Sequence, residues 1–102
     1  MTYVQTAVFT VEADYQEQFA QKIKNDVTSL KAWDGNISAE GWQGDEQDGK
    51  VDFILMSKWA NKDDFGAWLN RPEHAERHQR PEVKEVRKHV TRKVASYQIL
   101  AD

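Results

Sequence analysis

In the run Phe53-Ile54-Leu55-Met56, four apolar side chains follow one another without a polar residue between them, and nothing else in the sequence restricts the fold as much. A strand turns successive side chains to opposite faces, so a sheet built on this run is apolar on both sides. Residues 3–11, Tyr-Val-Gln-Thr-Ala-Val-Phe-Thr-Val, carry the same doubling: Tyr3, Ala7, Phe9 and Val11 oppose Val4 and Val8. Helices can cover one face. The other face needs a second cover, and a chain of 102 residues has no spare element to supply it. The expectation is a homodimer whose two sheets pack face to face; the alternative is a monomer that leaves a few aliphatic side chains wet.

The remaining elements follow from periodicity. Residues 3–11 read as a strand rich in branched and aromatic side chains. Phe19, Ile23, Val27 and Leu30 recur at helical spacing and predict an amphipathic helix over 15–32, with Gly35 of Asp34-Gly35 as its left-handed cap. Residues 36–43 and 51–59 form a predicted hairpin around a polar loop in which Asp48-Gly49 is the turn signal. Asp45, Glu46 and Asp48 have no histidine or aromatic neighbour there and read as a solubilising tip. Asn61 is the expected N-cap of a short helix over 62–69, with Asp63 and Asp64 favourable in its first turn. Pro72 starts a further helix, Pro81 interrupts it, and residues 91–100 form a last strand. The order β-α-β-β-α-β predicts a single α+β domain over residues 1–102: a ferredoxin-like split βαβ with an antiparallel sheet.

Composition excludes several kinds of chemistry. Without cysteine there is no disulfide, thiolate metal site or thiol nucleophile. The first residues lack a secretory signal pattern and no apolar run approaches bilayer length, so a soluble cytoplasmic protein without membrane partners is expected. Residues 1–69 carry 6 Lys/Arg against 12 Asp/Glu, whereas residues 70–93 carry 8 against 4. The basic stretch is either a solvated helix laced with ion pairs or a local positive potential suited to a small carboxylate ligand. No nucleic-acid-binding motif accompanies it, and the whole chain is acidic, so a nucleic-acid partner is not expected. No catalytic triad, phosphate-cradling glycine loop or paired-carboxylate arrangement is present; chemistry would have to rely on a redox-active organic molecule or cofactor.

The candidate site lies between Trp59 and His78. On a helix, Phe65, Trp68 and Leu69 share a stripe, and beyond Pro72 His74 and His78 share a face one turn apart. Flat aromatic walls beside imidazoles suit a planar aromatic ligand. Trp59, at a strand end, reads as core; Trp68 either caps the core or walls a cavity. His74 and His78 have the spacing of a metal pair, but also that of two surface histidines on a Glu- and Arg-rich helix. His89, among Arg87, Lys88 and Arg92, reads as solvated.

The strand ending in Trp59, the Phe65-x-x-Trp68 helix, the segment Pro72-Glu-His74-x-x-x-His78 and the closing strand through Tyr97 together resemble the antibiotic biosynthesis monooxygenase-like family of dimeric α+β barrels, including its haem-degrading branch. The resemblance covers nearly the whole chain. It implies a cofactor pocket in which a histidine ligates haem iron, a tryptophan presses on the porphyrin and an asparagine hydrogen-bonds on the distal side. Trp68 matches the tryptophan and His78 the axial ligand, with His74 as the nearby alternative; Arg71 or Arg77 would balance ligand carboxylates. Ala7 stands at the asparagine position, so either Thr6 or Gln5 substitutes as the hydrogen-bond donor or the haem chemistry is lost or altered. The implied function is a small monooxygenase acting on a planar aromatic ligand, haem foremost. The rivals are a cofactor-independent oxygenase of phenols or quinols, and a non-catalytic dimeric module that binds a small aromatic molecule.

Overall fold

The computed structural model of the chain describes residues 2–71 and 88–101. The elements expected at Pro72 and Pro81, and with them His74, Arg77 and His78, lie outside the described residues. Those described form β1 (Tyr3–Glu12), a 3-10 turn (Ala13–Tyr15), α1 (Gln16–Lys31), β2 (Asn36–Gln43), β3 (Lys50–Trp59), α2 (Lys62–Leu69) and β4 (Val90–Gln98). The four strands make one antiparallel sheet in the order β2-β3-β1-β4, the ferredoxin-like arrangement that the element order predicts.

Local chemistry explains most of the boundaries. Asn61 is extended (φ −157°, ψ 170°) and its side-chain oxygen accepts the Asp64 amide at 3.0 Å, which caps α2. In the hairpin, Gln47 and Lys50 exchange both backbone hydrogen bonds at 2.8 and 3.0 Å around Asp48 and Gly49, both at positive φ, as a tight hairpin turn requires. The end of α1 departs from the expectation. The helix is capped at Ala32 in right-handed conformation, and Gly35 (φ 92°) lies beyond it, turning the chain into β2. A side chain at Gly35 would also press on Asp64 in the first turn of α2, so its job is to let two connections approach.

The pleat sorts the strands into two faces. Tyr3, Gln5, Ala7, Phe9 and Val11 of β1 lie beside Trp59, Ser57, Leu55, Phe53 and Val51 of β3 on the face that receives the helices. Phe19, Ile23 and Leu30 of α1 are buried against it, and Phe19 meets Phe9 and Phe53 at centroid distances of 5.0 and 5.3 Å. Asp26 is also buried on this helix and takes Lys22 Nζ at 2.6 Å; the ammonium stands 5.4 Å from the centroids of both Phe9 and Phe19. A second cluster gathers Leu30, Ala39, Trp59 and Trp68, with Tyr3, Trp33 and Phe65 packed on it. The opposite face carries Val4, Thr6 and Val8 of β1, Ile54 and Met56 of β3, Trp42 of β2 and Tyr97 of β4. No described helix covers it, and Trp42 and Tyr97 are 46% and 55% exposed.

Candidate functional site

The aromatic residues singled out in the sequence converge at one end of the helix-covered face. Trp59 ends β3 fully buried, 5.6 Å from the Phe65 ring and 6.4 Å from Trp68; Tyr3 meets Phe65 at 5.8 Å and Trp33 meets Trp68 edge-on at 5.5 Å. The Trp59 indole donates to Ser57 Oγ at 2.9 Å, which satisfies the one polar atom of the cluster's centre. Trp68 is 8% exposed and its ring is covered by Arg71, whose guanidinium carbon stands 3.4 Å from the ring centroid while Nη1 donates to the Trp68 carbonyl at 2.8 Å. Of the two readings open for Trp68, the core one describes its present packing. Leu69, expected on the same stripe as Phe65 and Trp68, is 40% exposed.

Beside these rings lies an open cleft of about 510 Å³ lined by Tyr3, Asn61, Lys62, Ser96 and Gln98. A polar row set by strand register adjoins it: Gln5 pairs with Ser96 and Tyr3 with Gln98 across β1 and β4, and Gln5 with Ser57 across β1 and β3. Ser96 Oγ donates to Gln5 Oε1 at 2.7 Å, and Tyr3 Oη donates toward Ser96 Oγ at 2.9 Å, with Gln5 Oε1 at 3.3 Å. Gln5, Ser96 and Tyr3 therefore act as one unit. Asn61 and Lys62 enter from the start of α2, and Lys62 supplies the positive charge among the lining residues.

Thr6 and Gln5 part company here. Alternation places Gln5 on the cleft face and Thr6 on the opposite face, in a row with Met56 and Ala95. Ala7 is buried under the helix layer. His89, expected in solvent, is instead half-buried at the far end of the sheet: its Nδ1 lies 2.7 Å from Glu12 Oε2 and its ring stacks on Tyr15 at 4.3 Å. It joins β4 to the end of β1 and is remote from the cleft. Among the described residues no group of three or more His, Cys, Asp or Glu side chains is placed to hold a metal ion. Nor is a helix among them long and apolar enough to cross a membrane.

The cleft lining of Tyr3, Ser96 and Gln98 was not singled out in the sequence. A signal exists for part of it, since Gln5 and Ser57 are polar residues inside strands that otherwise supply core. What brings Ser96 into one row with them is the register of β4 against β1, joined through a long connection whose length periodicity does not convert into register.

A ferredoxin-like α+β domain with a buried aromatic cluster and a polar cleft on its helix-covered face defines the structural class. Within that class the chain belongs to the antibiotic biosynthesis monooxygenase family, whose model matches residues 2–80. Solved structures share the fold at low identity. A candidate antibiotic biosynthesis monooxygenase from Deinococcus radiodurans superposes with a TM-score of 0.79 at 16% identity, over 98% of this chain and 94% of that one. A mutant form of SnoaB, a cofactor-independent oxygenase from Streptomyces nogalater, gives 0.67 at 15% identity, over 99% and 95%. A dimeric ferredoxin-like protein from an uncultured marine organism gives 0.76 at 8% identity, over 99% and 97%. Among curated proteins, none matches the chain.

Proposed function

We propose that the protein is a monooxygenase that oxygenates a small phenol or quinol held in the cleft of Tyr3, Asn61, Lys62, Ser96 and Gln98, with the substrate itself as reductant of dioxygen. The observation that carries this reading is the lining: neutral hydrogen-bonding groups, one ammonium and the Tyr3 ring, which packs on Phe65 of the buried aromatic cluster, the mixture that orients an oxygenated aromatic ring. The reaction balances without a prosthetic group. A phenol and O2 give a quinone and water: one oxygen atom enters the ring, the other leaves as water, and the ring supplies all four electrons. The protein would orient the ring against O2 and stabilise the phenolate through donors at Lys62 and Asn61. The cofactor-independent oxygenase SnoaB, which shares the fold, lends this reading support.

The second reading is haem degradation, favoured by the ten-residue interval from Trp68 to His78 and by the basic stretch that follows. In it His78, or His74, would hold the iron, Trp68 would shape the pocket, and Arg71 and Arg77 would face the propionates. The described residues fit haem poorly: Arg71 lies on the Trp68 ring that would have to meet the porphyrin, and both side chains are buried. The same cavity could also serve a non-catalytic module.

Oxygen uptake separates these. Enzyme-dependent consumption of O2 by hydroquinones in chelator-treated buffer is expected, reduced by Lys62→Ala. A stoichiometric Soret band abolished by His78→Ala, with no hydroquinone turnover, would transfer the case to haem. Binding of aromatics without turnover under any reductant would leave the module. For the assembly, we infer a homodimer through the uncovered sheet face, a reading in keeping with the dimeric relative that shares the fold.

A further inference from the structure

We propose that Tyr3 Oη is a hydrogen-bond acceptor that makes the cleft selective for ligands presenting a hydroxyl group, and that Ser96 and Gln5 hold it in that role. The inference rests on the aromatic-ligand reading of the cleft above and deepens it to the polarity of the bound edge.

The direction of the hydrogen bonds carries the argument. Gln5 Oε1 can only accept, and it receives Ser96 Oγ at 2.7 Å. That bond uses the single proton of Ser96, so the serine oxygen meets Tyr3 with its lone pairs and takes the phenol proton at 2.9 Å. The alternative acceptor for that proton, at 3.3 Å, is again Gln5 Oε1. Either way the tyrosine proton points into the relay, and Tyr3 Oη, on a residue that lines the cleft, is left with its lone pairs. Among the described residues no donor reaches them.

Asn61 and Lys62, which line the same cleft, have the reverse polarity. The Asn61 side-chain oxygen is occupied by the Asp64 amide, which leaves the NH2 group of Asn61 as a donor, and the neighbouring Lys62 ammonium can only donate. A matching ligand edge carries a hydroxyl to give to Tyr3 and a carbonyl or ionised oxygen to receive from Asn61 or Lys62. A methyl ether in place of the hydroxyl leaves the tyrosine lone pair unmatched, and one net hydrogen bond is worth about tenfold in affinity.

The test compares 6-hydroxy-1-tetralone with 6-methoxy-1-tetralone by isothermal titration on the full chain. The wild type is expected to prefer the hydroxyl compound by about tenfold. Tyr3→Phe keeps the ring against Phe65 and removes the acceptor; it should bind both compounds with the affinity the wild type shows for the ether. Ser96→Ala should lose part of the preference, since Tyr3 can still donate directly to Gln5, and it carries the test should Tyr3→Phe not fold. A preference that survives Tyr3→Phe, a wild-type preference for the ether, or binding of neither compound overturns the proposal. Oxygen uptake on hydroquinones is read separately. Turnover with no Tyr3-dependent preference leaves the proposed function standing and removes this inference, whereas the preference without turnover does the reverse.

Discussion

Gln5 and Thr6 are neighbours in β1, yet the pleat gives them different surroundings, and that difference is measurable. Gln5 anchors the Tyr3–Ser96 relay on the cleft face, whereas Thr6 lies on the far side of the sheet. Gln5→Ala is expected to weaken binding of a hydroxylated aromatic by about tenfold, and Thr6→Ala to leave it unchanged, both by titration calorimetry. Trp59→Phe should cost about 1–3 kcal/mol in chemical denaturation, because the smaller ring leaves the buried Ser57 hydroxyl without the indole donor and opens space beside Trp68. The place of Trp59 was legible from its position at the end of an apolar strand. That of Trp68 was not: its burial depends on Arg71 folding back over the ring, and a lid that arrives after the helix has ended leaves no periodic trace.

At the level of elements, capping and close approach decide more than propensity. Asn61 both caps α2 and lines the cleft, so Asn61→Ala should lower stability by about 1 kcal/mol and also weaken ligand binding. Asn61→Asp is expected to restore the cap but not the donor at the cleft, and thermal melts read against calorimetry separate the two losses. Gly41 in β2 lies directly under α1, where an added Cβ would collide with the Ile23 side chain and press on Val27. Gly41→Ala should therefore cost about 1–3 kcal/mol by overpacking, measurable as a lower denaturation midpoint with unchanged far-UV spectrum. The elements with a strong apolar period are the most visible in the sequence: Phe19, Ile23 and Leu30 mark α1 as plainly there as in the core. The glycine after α1 misled for a physical reason. A Gly four residues past the end of a helix looks like a cap, but here its left-handed backbone serves the turn into β2 and the approach of Asp64.

For the molecule as a whole, the two sheet faces separate two properties. The helix-covered face holds the aromatic cluster and the cleft; the uncovered one presents Val4, Val8 and Ile54 between Trp42 and Tyr97. The unbroken run Phe53–Met56 makes this second face legible in the sequence, since no reading of it as a strand leaves one side polar. Trp42 donates its indole N–H to Glu40 at 3.1 Å, which satisfies the ring's polar atom. Ile54→Glu sets a carboxylate between Trp42 and Val8 in the middle of that face. Burying it unpaired would cost several kcal/mol, so the dissociation constant of the proposed dimer should rise by about a hundredfold or more in sedimentation equilibrium. A wild-type chain that sediments as a single subunit at every concentration would remove the dimer. Because Ile54 points away from the cleft, the same variant should keep its affinity for a hydroxylated aromatic once folded. Loss of that affinity together with the dimer would mean that the cleft is completed across the interface, not within one subunit.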